Sequence, residues 1–333
     1  MVLSPPILAL LCCSAMVCGL TVMAAAVGLS AVAGWDHLDS GPEQLLRERR
    51  WFLVEASLRL ILGLQIFSLF LFVATADHLK SLFTGAMCAV GSLNASQFGF
   101  PTLLAKIAGF ILCGLWLAAD RGSPAATSTG LVRFKVFSVL LLAVALSGEN
   151  LLQFRYFSDL DPDIITSCCA TLFDRDTAGI GAGIAGIPVA MSRTAFFGGL
   201  AVTIAAGVFA VAGHRSPLIY SFLAAVLGLI TCTAVITWIG PAYYELPTHH
   251  CPLCLLAPDH GFIGYPLYLF LATAVITGVG SGLVSALRAI DPLRSIGPNE
   301  EQRLCAVSIT SFVLVAAIAV WPSLVSPFRL EVF

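Results

Sequence analysis

Eight runs of mainly apolar residues, each long enough to cross a bilayer, constrain this chain more than any other feature. They are Pro6–Gly34, Trp51–Ala76, Thr102–Ala119, Val136–Leu152, Thr194–Ala212, Leu218–Ile239, Pro266–Leu287 and Leu304–Val320. A helix needs about 20 apolar residues to span the hydrocarbon core. Only 11% of the 333 residues are charged, against roughly 25% in soluble domains. Lipid offers the backbone no hydrogen bonds, so spanning segments must be helices or closed barrels. The alternating pattern of a barrel strand is absent. The expected fold class is therefore all-α, a polytopic bundle of eight transmembrane helices in a lipid bilayer. The net charge is only −2, which gives no footprint for nucleic acid.

The first run ends in Ala31-Val32-Ala33, the small-residue pattern of a signal-peptidase site. No Lys or Arg precedes it, and it is about twice as long as a signal peptide's apolar region, so it is read as a retained helix. Orientation follows from the basic residues of the connections, which concentrate on the cytoplasmic side. The first, third, fifth and seventh connections carry Arg47, Arg49, Arg50, Arg121, Arg133, Lys135, Arg215, Arg288, Arg294 and Arg303, ten in all. The others carry four: Lys80, Arg155, Arg175 and Arg193. This places both termini outside. The implied location is an integral membrane protein of a bacterial inner (cytoplasmic) membrane.

The chain also carries signs of duplication. Ile61-Leu62-Gly63-Leu64 parallels Val226-Leu227-Gly228-Leu229, and Gly99-Phe100-Pro101 parallels Gly264-Tyr265-Pro266. Arg50 and Arg215 stand at the same offset, 165 residues. A repeat of four helices preserves orientation, so the two halves are expected to be parallel repeats. Residues 1–160 form the first, 161–192 an outer connecting loop, and 193–333 the second. In each Gly-aromatic-Pro motif the proline suits a helix's first turn, and the aromatic ring suits the headgroup level.

Of the eleven cysteines, Cys12, Cys13, Cys18, Cys113, Cys232 and Cys305 lie in apolar helices, where a thiol packs as a small hydrophobe. The other five lie in three connections on the same expected face: Cys88, the adjacent Cys168-Cys169, and His249-His250-Cys251-Pro252-Leu253-Cys254. Cys251 and Cys254 have a spacing that lets two sulfurs meet in a turn, and a helix start lowers a thiol's pKa. Redox exchange is the leading reading, with these two as the reactive pair and Cys88, Cys168 and Cys169 as relay or resolving thiols. A second reading is a copper or zinc site built from His249, His250, Cys251 and Cys254, because imidazole and thiolate suit both metals. The third is a disulfide that staples an exposed loop in an oxidising compartment. Adjacent cysteines such as Cys168 and Cys169 more easily bridge to a distant thiol than to each other.

The run His250-Cys251-Pro252-Leu253-Cys254-Leu255 resembles the first periplasmic cysteine loop of DsbB-type disulfide-generating membrane proteins. The resemblance spans about ten residues and implies a loop joining two membrane helices on the outer side. It implies thiol–disulfide exchange with an extracytoplasmic thiol protein and a quinone as electron acceptor. In that family a Gln-Arg pair follows the motif, with the Arg near the quinone. Here Ala257-Pro258-Asp259 follows.

Gly181, Gly183 and Gly186 match a dinucleotide-binding spacing, but that motif needs a strand before it and a helix after it. In an outer connection it reads instead as a flexible or re-entrant apolar segment. Asn94-Ala95-Ser96 is a glycosylation triplet. Charges inside membrane helices call for partners. Glu55 and Arg59 are four residues apart and are expected to share a helix face. Lys106 and Glu149 lie at similar depth in adjacent antiparallel helices and are expected to pair. His37, His78, His214 and His260 read as interfacial. The function expected from the sequence is a membrane thiol–disulfide redox protein. The alternatives are an outer-face copper or zinc binding or transport protein and a structural subunit of a larger membrane complex.

Overall fold

A computed structural model describes residues 4–33, 35, 41–122, 129–161, 163–166, 180–213, 217–290, 298–326 and 328. Its eight long helices are α1 (Pro5–Val32), α2 (Pro42–Leu79), α3 (Gly99–Gly122), α4 (Thr129–Ser158), α5 (Val189–Val211), α6 (Pro217–Ala234), α7 (Gly264–Ile290) and α8 (Pro298–Val325). All eight are long and apolar enough to cross a membrane, α6 with its continuation to Tyr244. Each overlaps one of the eight apolar runs, so the chain is an all-α, membrane-spanning helical protein. The described residues contain no strand, only an isolated bridge between Thr84 and Ile165. Short helices lie at Ala89–Asn94 and Ile180–Ala185. The second holds Gly181 and Gly183 and ends just before Gly186, with no described strand before it.

The chain divides into two compact units. Unit 1 comprises Met1–Leu79, Leu93–Ile164 and Ala286–Gly297, and unit 2 comprises Lys80–Ser92, Ile165–Ser285 and Pro298–Phe333. The segment Lys80–Ser92, which follows α2 in sequence, thus belongs to the second unit.

Unit 1 packs α1 to α4 around an apolar layer that includes Leu58, Leu62, Cys113, Trp116, Val139, Leu142 and Leu146. Ion pairs lie beyond this layer on both sides along the helices. On one side Lys106 Nζ donates to Glu149 Oε1 and Ser68 Oγ, each at 2.8 Å, and Gln65 Nε2 donates to both carboxylate oxygens of Glu149. On the other, Lys135 Nζ bridges Glu55 Oε1 at 3.0 Å and Asp120 Oδ1 at 2.8 Å, while Arg59 Nε binds Asp120 Oδ2 at 2.6 Å. The expected pairing of Lys106 with Glu149 is present. Glu55 and Arg59 share the second cluster through Asp120 and Lys135, a wider network than their spacing implied. Lys135, counted from the sequence as a connection residue, is buried within α4.

The two clusters follow one geometric rule. On α3, Lys106 and Asp120 stand fourteen residues apart, and on α4 so do Lys135 and Glu149. Fourteen residues are about four turns, or roughly 21 Å along a helix, so both residues on each helix share a face. The cation belongs to α3 at one level and to α4 at the other. Only one antiparallel register satisfies both pairs.

In unit 2 a core of Phe196, Tyr220, Leu227, Trp238, Leu267, Phe312 and Val315 draws on α5 to α8. Beyond Ala234, α6 continues as a π-helical segment, Val235–Ile239, and one further α-turn, Gly240–Tyr244. Glu245 ends the helix with φ of 54°. The wide π turn alters the usual backbone ladder, as often happens near functional sites.

Candidate functional site: a three-thiol centre

The centre is built from two connections of unit 2. The first is the segment holding Cys88. Thr166 N donates to Thr84 O at 2.9 Å. Gly85 adopts φ of 90°, and a Cβ there would lie 2.4 Å from Thr166 O. Only glycine combines that conformation with so close a backbone approach. Cys88 follows three residues later, and its carbonyl accepts from Gly91 N at 2.9 Å as the helix Ala89–Asn94 begins.

The second connection runs from Glu245 to Ile263. Cys251 caps a short 3-10 helix, Pro252–Leu256, and Pro252 fits its first position because no amide donor is needed there. Two tyrosines clamp the turn from different helices. Tyr244 donates its hydroxyl to Cys251 O at 2.6 Å, and Tyr268 donates to Pro252 O at 2.5 Å. The backbone of the Cys-Pro-Leu-Cys turn is thereby pinned to both α6 and α7.

These two connections bring three sulfurs together. The Sγ atoms of Cys88, Cys251 and Cys254 all lie within 4.8 Å of one another. Cys88 and Cys251 are 3.9 Å apart, a non-bonded separation, since a disulfide measures about 2.05 Å. Cys254 is a free thiol. Burial grades the three: Cys251 is 1% exposed and Cys88 4%, while Cys254 is partly open.

The histidines stand beside the sulfurs but outside their group. His250 is buried, and its Nδ1 lies 2.9 Å from Ile236 O in the π segment. A carbonyl only accepts, so Nδ1 carries a proton and donates it to Ile236 O. His249 packs edge-on against Tyr244 with ring centroids 4.7 Å apart, and His260 lies against the same ring at 4.6 Å. Desolvation lowers the pKa of His249, opposed by the nearby Cys88. Desolvation also lowers that of His260, with Asp259 opposing and His249 reinforcing. Both rings therefore favour the neutral form.

The structure thus gathers Cys88, Cys251 and Cys254 from the sequence-derived candidates. Cys168 and Cys169 lie outside the described residues. His249 and His250 flank the sulfurs, and the described metal-capable group contains thiols alone. The tyrosine clamp was missed by sequence reasoning. Tyr265 and Tyr268 both follow the loop within a few residues, and nothing in the pattern separates a clamp from an interfacial ring. Among the apolar-helix cysteines, Cys113 and Cys305 are buried in their units, while Cys12 and Cys232 are exposed on helix surfaces. Comparison of the chain with family models, curated proteins and solved structures finds no match.

Proposed function

We propose that this membrane protein exchanges thiols and disulfides at its extracytoplasmic face through Cys254, Cys251 and Cys88. The observation that carries the reading is the mutual approach of three sulfurs from two connections that lie far apart in sequence. Exchange proceeds by direct attack of a thiolate on a disulfide sulfur, so partners in a relay must come this close.

Accessibility sets the order of events. Cys254, the partly open thiol, meets an extracytoplasmic partner protein. When that partner brings a disulfide, the Cys254 thiolate attacks one of its sulfurs and releases the other as a thiolate, which takes up a proton. Cys251 then attacks the Cys254 sulfur, releases the partner's second thiol and closes a Cys251–Cys254 disulfide. Two electrons pass to the partner, and the reverse sequence oxidises it. From the disulfide state, Cys88 attacks Cys251, forms a Cys88–Cys251 bond and frees Cys254, with no net electron transfer. A quinone, as the DsbB-type resemblance implies, or a neighbouring redox subunit would close the cycle.

Trapping tests this. A Cys88→Ser/Cys251→Ser variant removes both sulfurs that could resolve the adduct, so Cys254 should accumulate a mixed disulfide with a thiol protein in intact cells. The adduct should vanish when Cys254→Ser is added. Failure of Cys88→Ser/Cys251→Ser to hold any adduct, with the protein correctly inserted, would overturn the reading.

A further inference from the structure

We infer that the reduced centre is also a three-coordinate site for a soft monovalent cation, copper(I), with Cys88, Cys251 and Cys254 as its three ligands. The ligand set differs from what the loop alone implies, because the distant Cys88 takes the place of the adjacent histidines. Binding uses the sulfurs assigned to exchange but does not depend on exchange occurring.

Geometry is the first argument. A metal bonded to sulfur at about 2.3 Å in a trigonal plane holds its sulfurs at about 4.0 Å from each other. Cys88 and Cys251 already stand 3.9 Å apart, and the third sulfur lies within 4.8 Å of both. A shift of Cys254 by less than the length of one bond would complete the triangle. The backbone needs little movement, since Tyr244 and Tyr268 hold the turn at Cys251 and Pro252, while Gly85 and the Thr84–Thr166 hydrogen bond hold the other strap.

Donor chemistry is the second. Thiolates select soft ions such as copper(I) and zinc over magnesium, calcium or manganese. Structural zinc sites almost always use four ligands in a tetrahedron. The described group offers three sulfurs and no fourth His, Asp or Glu. His250 has its Nδ1 directed to Ile236 O, and His249 packs edge-on against Tyr244. Three sulfurs without a fourth donor among the described residues favour an ion content with three ligands.

Oxidation and metal capture exclude each other. A disulfide of Cys251 with either neighbour removes two of the three donors. Only the reduced centre holds the ion, and a bound ion blocks the first attack by Cys254.

The experiment uses full-length protein in lipid nanodiscs, reduced and kept anaerobic, with copper(I) presented as its bicinchoninate complex. The expected result is one copper(I) withdrawn per chain, with X-ray absorption showing three sulfur neighbours and no nitrogen. Cys88→Ser and Cys254→Ser should each fail to withdraw it, while His249→Ala, His250→Ala and Cys12→Ser withdraw it unchanged. Mass-spectrometric footprinting of the wild-type protein avoids dependence on variants that fold poorly: copper(I) should protect Cys254, the partly open thiol of the centre, from alkylation. No copper(I) withdrawn, copper(I) retained in Cys88→Ser, nitrogen in the shell, or displacement by equimolar zinc would each overturn the assignment. None of these results bears on the mixed-disulfide experiment, so the two readings fail separately.

Discussion

Replacing Lys106 and Glu149 together by Met should destabilise unit 1 by well under the sum of the two single replacements. Lys106 is 1% exposed and Glu149 2%. The single change leaves a buried carboxylate whose remaining donor is Gln65 Nε2, at 2.8 and 2.7 Å from its two oxygens. Removing one partner of a buried pair typically costs about 3–5 kcal/mol. The double change, Lys106→Met with Glu149→Met, removes both charges and leaves Gln65 and Ser68 short of a partner. A buried polar group left unsatisfied costs about 1–3 kcal/mol. The coupling in a double-mutant cycle should therefore be about 2 kcal/mol or more. Reversible unfolding in mixed micelles, followed by tryptophan fluorescence, measures all four corners of the cycle. Additive effects, or a single variant that loses less than about 0.5 kcal/mol, as surface changes do, would refute the claim that this pair is coupled.

Three further outcomes follow from the structure. A Cβ at Gly99 would meet Leu93 O at 2.0 Å, and one at Gly264 would meet Leu255 C at 2.8 Å. Gly99→Ala and Gly264→Ala should each lower the melting temperature, at about 1–3 kcal/mol of overpacking, whereas Gly63→Ala, with nothing within 4 Å, should not. His249 and His260 have lowered pKa values, so below about pH 6.5 the unfolded chain binds more protons than the folded one, and stability falls as pH drops. Melting between pH 7.5 and 5.5 should fall more steeply in the wild type than in His249→Gln/His260→Gln, and parallel curves would exclude the effect. After mild reduction of intact cells, an impermeant maleimide should label Cys254 ahead of the buried Cys88 and Cys251; labelling of Cys254 only after lysis would place the centre on the other membrane face.

The eight helices were legible because apolar length is a strong and local signal. The Lys106–Glu149 pair was legible because depth can be counted along neighbouring helices. Its counterpart, Asp120 with Lys135, was hidden by where each helix was taken to begin. The apolar run starts at Val136, yet the helix starts at Thr129, so Lys135 passed for a connection residue. The fourteen-residue spacing shared by α3 and α4 was the available clue. Cys251 and Cys254 stood out through local spacing. Their meeting with Cys88 depends on tertiary folding of the Lys80–Ser92 segment, which no local pattern encodes. The 165-residue offset also has a limit: Gly63 meets nothing within 4 Å, while a Cβ at its counterpart Gly228 would meet Val275 Cγ2 at 2.5 Å. Matching letters do not make matching environments.

The central claim is that Cys88, Cys251 and Cys254 form one exchange centre. Its most direct test is non-reducing peptide mapping of the Cys254→Ser protein after mild oxidation in the membrane. A Cys88–Cys251 disulfide is expected in that variant, and a Cys251–Cys254 disulfide that equilibrates with it in the wild type. A Cys88 that stays fully alkylatable in both proteins, once they are denatured for mapping, would contradict it.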